Sequence, residues 1–243
     1  MDLGIKNKWA LVTGAGRGLG EGICRSLSKE GVCIVATSRT ARDLETLIDS
    51  LGGAAAGHRF LSLDIAAADG PAQLVEYVRE QGIEPDIVVN NVGGNLGFTD
   101  PLGPVDEWQQ VMRLNVEVAL EINRAFIPVM REKKWGRIIH FSSIRVAPGT
   151  LSYTTTKHGL LGMSKVLAKE YARFNITSNA LILGAFDTGM FQNLKEKVRK
   201  DMVSQIPSRK LGDVKNIVNA ITFIIDSPFV NGTSITIDGG ASI

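Results

Sequence analysis

Short apolar runs alternate along this chain with longer stretches whose apolar positions recur every three to four residues. The first run, Trp9 to Val12, predicts a strand, and a glycine-rich turn follows it. Leu19, Ile23 and Leu27 then repeat at four-residue intervals, which predicts a helix over 19–27. The alternation continues with strands expected at 32–36, 60–63 and 87–89, and helices at 44–51 and 74–78. From Gly93 to Pro104, glycines and prolines interrupt any regular element. Asp106 is expected to cap a long helix reaching roughly Lys134, bent at Pro128. Further strands are expected at 137–141, 176–183 and 234–237, and helices at 153–174 and 213–225. Seven strands with helices between them predict an α/β doubly wound (Rossmann) fold, a seven-stranded parallel sheet with helices on both faces. No interior linker or repeat divides the pattern, so 1–243 is expected to be one domain.

Composition narrows the function more by exclusion than by indication. Apolar residues make up 44% and charged residues 21%, enough for a large core and far from a disordered composition. A net charge of +2 argues against a nucleic-acid or anionic-membrane partner. There is no run of about 18 apolar residues to span a bilayer, and the first residues lack the apolar core of a signal peptide. Cys24 and Cys33 are not spaced as zinc ligands and suit a reducing, cytoplasmic compartment. His58, His140 and His158 lie outside metal-ligand spacing and are expected to be structural, so no metal is expected.

The turn after the first strand reads Thr13-Gly14-Ala15-Gly16-Arg17-Gly18-Leu19-Gly20. Glycines there allow a tight turn, close approach of a pyrophosphate and close packing of the next helix on the sheet. The helix N-terminus then presents unpaired N–H groups and partial positive charge to the phosphates. A carboxylate at the end of the second strand would hold the ribose 2′-hydroxyl of NAD. Here that strand ends Ala36-Thr37-Ser38-Arg39, and Arg17 adds a second cation. Two guanidiniums and a serine hydroxyl suit a 2′-phosphate, so NADP(H) is expected, with NAD(H) disfavoured.

Tyr153-Thr154-Thr155-Thr156-Lys157 opens the helix that follows the strand ending at Ser142-Ser143. A four-residue offset puts phenol and ammonium on one helix face. A nearby cation favours a phenolate, which suits a tyrosine that donates and accepts a proton. A hydroxyl from the strand end, such as Ser143, could hold the substrate oxygen.

Together these residues resemble the short-chain dehydrogenase/reductase family, most closely its 3-oxoacyl-carrier-protein reductase-like members, over nearly the whole chain. Further markers are Asp64, Asn90-Asn91-Val92-Gly93, Asn115, Gly184-Ala185-Phe186-Asp187-Thr188 and Ile237-Asp238-Gly239-Gly240. The resemblance implies that Tyr153 is the acid/base, that Lys157 binds the nicotinamide ribose and lowers the tyrosine pKa, and that Ser143 positions the carbonyl. It implies that Asn115 holds a water in a proton relay. Gly14, Gly16, Arg17, Gly18, Leu19, Gly20, Ser38, Arg39, Asp64, Ile65, Asn90, Asn91, Gly93, Phe186 and Thr188 would line the cofactor. Asp64 and Ile65 would lie by the adenine, Asn91 by the adjacent ribose, and Phe186 and Thr188 by the carboxamide. It also implies a homotetramer.

This chain departs from the family pattern at Leu183, where proline is usual, at Val92 for alanine, and in a shortened stretch from Ser143 to Tyr153 that falls on the substrate loop. Lys134 and Arg173 lie where carrier-protein reductases present basic groups to an acidic partner, with Phe174 in place of one expected cation. Residues 188–210 place Met190, Phe191, Leu194, Val198 and Met202 at helical spacing, with Lys195, Lys197, Arg199 and Lys200 on the polar side. That pattern suits a substrate lid over 184–210, apolar inward and cationic outward. The expected substrate is a small-molecule ketone or alcohol, possible classes being a carrier-protein- or CoA-tethered 3-oxoacyl group and a sugar-derived or cyclic ketone. A non-catalytic cofactor-binding scaffold is the remote alternative.

Overall fold

The computed structural model describes residues 3–188 and 195–243. Its strands are β1 Trp9–Thr13, β2 Cys33–Ser38, β3 Arg59–Ser62, β4 Ile87–Asn90, β5 Gly136–Ser143, β6 Ile176–Leu183 and β7 Ser234–Ile237. All pair in parallel, in the order β3-β2-β1-β4-β5-β6-β7. The helices are α1 Gly18–Lys29, α2 Ala41–Ser50, α3 Gly70–Glu80, α4 Val105–Met112, α5 Val118–Lys133, α6 Leu151–Tyr171, α7 Glu196–Gln205 and α8 Val214–Asp226.

Side chains on a strand alternate between faces, so a sheet covered on both sides needs apolar residues at consecutive positions. Ala10 and Val12 pack with Ile23 and Leu27 of α1 and with Ile217 and Ile221 of α8. Leu11 and Val88 pack on the other face with Leu74 of α3 and with Ile122 and Phe126 of α5. The strand order reverses between β1 and β4: one half of the sheet grows outward through β2 and β3, the other through β5 to β7. Loops leaving β1 and β4 therefore diverge and open a crevice at the carboxyl edge.

The expected helix at 106–134 needs correction in two respects. It starts at Val105 behind Pro104, and Asp106 lies in its first turn instead of capping it. Between α4 and α5 the chain widens into a π-turn over Arg113–Glu117, while α5 runs on through Pro128. The helix expected over 213–225 is present as α8, and Asp213 caps it. Its carboxylate accepts from Lys215 N at 2.8 Å, and Asn216 Oδ1 accepts from Asp213 N at 3.0 Å. Among the described residues, no helix is long and apolar enough to cross a membrane, and no cluster of His, Cys, Asp and Glu could hold a metal ion.

Candidate active site

The crevice between the loops after β1 and β4 is stitched by two side chains. Thr13 Oγ1 donates to Val89 O and accepts the N–H groups of Asn91 and Val92, each at 3.1 Å. Asn91 Nδ2 donates back to Thr13 O at 2.8 Å and to Gly14 O at 3.1 Å. Asn91 thus fixes the glycine turn to the end of β4. The sequence reading singled out Asn91 but carried Thr13 only as the first residue of the glycine-turn motif, with no role, because its partners lie some 76 to 79 residues away in the chain.

A methyl group on Gly20 would lie 2.2 Å from Gly14 O, so only glycine lets α1 close on the turn. One on Gly16 would lie 2.6 Å from Ser38 Oγ and 3.4 Å from Asp43 Cβ, filling the gap between the turn and the end of β2. Among the described residues no side chain caps α1, whose first-turn N–H groups, at Gly18, Leu19 and Gly20, need an acceptor. A dinucleotide fits this cradle: its pyrophosphate would meet those donors and its ribose the space that glycine keeps open at 16. Arg17 and Arg39 are exposed and Ser38 half-buried at the same end. Thr188 closes the turn from the far side, 3.4 Å from where a Gly18 methyl would sit.

Three expected cofactor residues are placed differently. Asn90 turns its amide away from the crevice into the core, where it donates to Asn123 Oδ1 at 3.2 Å and lies 3.4 Å from His140 Nδ1. Neighbouring strand residues face opposite ways, so Asn90 and Asn91 cannot both reach one ligand with their side chains. Phe186 buries its ring against Gly212 in the main core, leaving its backbone as the part that can meet a cofactor. Ile65 is likewise a core residue, whereas Asp64 is exposed and accepts from Ala66 N at 3.0 Å.

The catalytic candidates Ser143, Tyr153 and Lys157 lie on the end of β5 and the first two turns of α6. Ser142 Oγ donates to Lys157 O at 2.8 Å, and Lys157 Nζ donates to Phe141 O at 2.9 Å, so α6 is bolted to the strand through the lysine at both its ends. Half-buried Tyr153 stands one turn earlier on α6. Ser143 Oγ accepts from Arg145 N at 3.1 Å, which leaves its hydroxyl hydrogen available to another oxygen. Thr154 Oγ1 donates to Arg145 O at 2.9 Å and pins the shortened 144–150 loop to the helix. Burial lowers the Lys157 pKa to about 8. His140, buried beneath it, is lowered to about 4 by burial and by the lysine charge.

Asn115 lies in the π-turn and is almost fully buried. Its Oδ1 accepts from Gly94 N at 3.0 Å, and its Nδ2 donates to Gly94 O at 2.8 Å and to Val111 O at 3.0 Å. The amide clamps one peptide of the β4 loop. A methyl group on Gly93 would lie 2.3 Å from Lys157 Nζ and 2.5 Å from Asn115 Oδ1, so Gly93 marks where these residues meet.

The short chain dehydrogenase family model matches residues 8–199. The chain belongs to that family. It is 30% identical to the 3-oxoacyl-(acyl-carrier-protein) reductase of Pseudomonas aeruginosa over 243 residues, covering 98% of both chains. It is 29% identical to the corresponding reductase of Escherichia coli K12, again over 98% of each. Among solved structures, the L-sorbose reductase of Gluconobacter frateurii, complexed with NADPH and L-sorbose, superposes with a TM-score of 0.90 at 29% identity, covering 99% of this chain and 98% of that one. The 3-oxoacyl-(acyl-carrier-protein) reductase of Brucella melitensis superposes at 0.88 with 25% identity, covering 99% and 93%. This family member is an NAD(P)-dependent oxidoreductase.

Proposed function

We propose that this chain is an NADP(H)-dependent reductase that interconverts a ketone and a secondary alcohol, with a 3-oxoacyl thioester as substrate. The reading rests above all on the placing of Lys157, whose Nζ donates to Phe141 O and whose carbonyl accepts from Ser142 Oγ, next to Ser143 at the end of β5 and one turn after Tyr153 on α6. Arg17, Ser38 and Arg39 supply a cationic, hydroxyl-bearing site for a 2′-phosphate. A bound nicotinamide supplies or takes the hydride at the substrate carbon. Tyr153 carries the proton to and from the substrate oxygen, and Ser143 donates its free hydroxyl hydrogen to that oxygen. Lys157 keeps positive charge beside this path. The Asn115 amide is committed to Gly94 and Val111, so a relay water would be held by backbone carbonyls of the widened turn.

Several features favour an apolar, tethered substrate. Leu96, Leu102 and Val146 are exposed on the two loops that flank the site, as are Val105 and Leu151 at the starts of the helices that follow them, and Gly149 and Thr99 bring those loops together. We read 1–243 as one catalytic domain with 184–210 as its lid. The lid helix α7 buries none of its residues, so Val198 and Met202 are available to a substrate; Met190, Phe191 and Leu194 lie outside the described residues. Arg199 pairs with Asp187 and Lys200 with Glu196, leaving Lys195 and Lys197 as the lid cations better suited to an anionic handle. Phe174 does not break the basic surface near Lys134: Arg131 and Arg173 lie over its ring at 4.9 and 4.8 Å. Exposed Leu120 and Val166 on α5 and α6 suit a homotetramer built through those helices, in a cytoplasmic setting.

A second reading, a small sugar-derived ketone, is favoured by the likeness to L-sorbose reductase. A spectrophotometric panel separates the two: acetoacetyl-CoA, free acetoacetate and L-sorbose, each with NADPH and NADH, and with Tyr153→Phe as the blank. The thioester should be turned over best, and Lys195→Glu with Lys197→Glu should raise its KM alone. Faster turnover of L-sorbose transfers the assignment to the second reading, and full activity of Tyr153→Phe overturns the assigned acid.

A further inference from the structure

Arg113, in the π-turn, is unexplained by the chemistry above. Its guanidinium donates to three successive backbone carbonyls: Nε to Ala66 O at 3.4 Å, and Nη2 to Ala67 O at 3.0 Å and Ala68 O at 3.2 Å. These carbonyls directly follow Asp64 and Ile65. On its own helical rod, Nη1 is in contact with Glu121 and lies 3.6 Å from Glu117, so the fork is held in place from behind. Two residues further on, Asn115 holds the Gly94 peptide in the loop above β4. Residues two apart on a helix point in well-separated directions, which lets one turn grip two loops.

We propose that Arg113 is a positioning residue for the adenine end of the dinucleotide, and that the π-turn anchors both ends of the cofactor crevice, one through Arg113 and the other through Asn115. The proposal rests on the reading above that places adenine beside exposed Asp64 and the backbone of Ile65. Ile65 roots the start of the loop at 64–70 in the core; beyond it, Asp64 accepts from Ala66 N and Ala67 N, and Ala67 O accepts from Gly70 N. Those are turn contacts within the loop. Arg113 ties it to the helix layer, and a planar fork is well shaped for carbonyls that converge from consecutive residues. Without it, three backbone acceptors would turn to water, and the loop would have to be ordered by the ligand itself, which weakens binding.

The test compares the wild type with Arg113→Met, which keeps an apolar stem and removes the donors, and with Arg113→Lys and Glu121→Gln. NADPH affinity is read from nucleotide fluorescence, the adenine half is probed by adenosine 2′,5′-bisphosphate as a competitor, and kcat and KM are measured with saturating ketone. We expect Arg113→Met to raise the NADPH dissociation constant and the competitor Ki together by about tenfold or more, with kcat at saturating NADPH within about twofold of wild type. Arg113→Lys should recover part of the affinity, and Glu121→Gln should lose less than Arg113→Met. Unchanged affinity for both ligands in a folded Arg113→Met overturns the proposal. So does a fall in kcat with affinity intact, or a Glu121→Gln variant with no loss should Arg113→Met fail to fold. A wild type that binds neither ligand would instead overturn the cofactor reading.

Discussion

The Lys157 ammonium donates to the Phe141 carbonyl at 2.9 Å, across the joint between α6 and β5. That bond places a charged group in a site where burial lowers its pKa to about 8 from the ordinary lysine value of 10.5. The unfolded chain therefore binds more protons than the folded one between these two values, and the linked stability rises as pH climbs from about 8 to 10.5. Below pH 8 the full cost of the buried charge remains. Lys157→Met should stabilise the fold at pH 7 by about 2 kcal/mol while severely impairing turnover. Urea unfolding at pH 7 and 9.5 checks it: the gain should shrink at the higher pH, and a destabilised Lys157→Met would contradict the argument.

His140 gives the acid counterpart. Its pKa is lowered to about 4 from 6.5, first by burial and then by the Lys157 charge. In the unfolded state it takes up a proton as pH falls through 6.5, whereas the folded protein resists until about 4, so stability is lost over that window. From pH 7 to 5 the expected share is about 2 kcal/mol. His140→Asn should show that much less acid destabilisation than wild type in matched denaturant titrations. Equal losses in the two proteins would refute this.

Gly93 is the space that Lys157 and Asn115 share. Gly93→Ala should push the lysine ammonium off its position and lower kcat at least about tenfold, with circular dichroism unchanged. A variant with wild-type kcat would show that the ammonium position is not critical.

Cofactor choice should yield at one residue. Arg39→Asp removes a cation and adds an anion beside Ser38, so NADPH binding should weaken by roughly 1.5–3 kcal/mol while NADH binding holds or improves. Titration with both reduced cofactors decides it, and a preference left at its wild-type value would remove Arg39 from the 2′-phosphate site.

Asp213 accepts from Lys215 N at 2.8 Å and shares a capping box with Asn216. Asp213→Ala should cost about 1 kcal/mol of stability, read as a lower denaturation midpoint, with kinetic constants unchanged. No shift in midpoint would mean that the cap contributes nothing to the fold.

Much of the site was legible before folding because its signals are local. The spacing of Tyr153 and Lys157 is one helical turn, and the glycine turn of 13–20 directly follows the first strand. The π-turn at 113–117 was not legible. Apolar positions on either side of it, Val111 and Val118, still read as a continuous helix, and the bonds its residues make run to loops distant in the chain. Arg113 carries no local signal of its role, since its acceptors at 66–68 lie more than forty residues away. Phe186 looked like a cofactor residue by motif, yet its ring is held by Gly212.

By itself, then, the sequence determined the order of strands and helices, the parallel sheet they form, and the residue types available for proton and hydride chemistry. These follow from period, turn chemistry and motif, all short-range properties of the chain. Tertiary structure alone decided which way Asn90 and Asn91 face, that Thr13 locks the β4 loop, how deeply Lys157 and His140 are buried, and that one π-turn grips two loops. The physical reason is that pKa values and loop anchorage depend on desolvation and on hydrogen bonds between residues far apart in the chain, and those partners meet only when the sheet register is set.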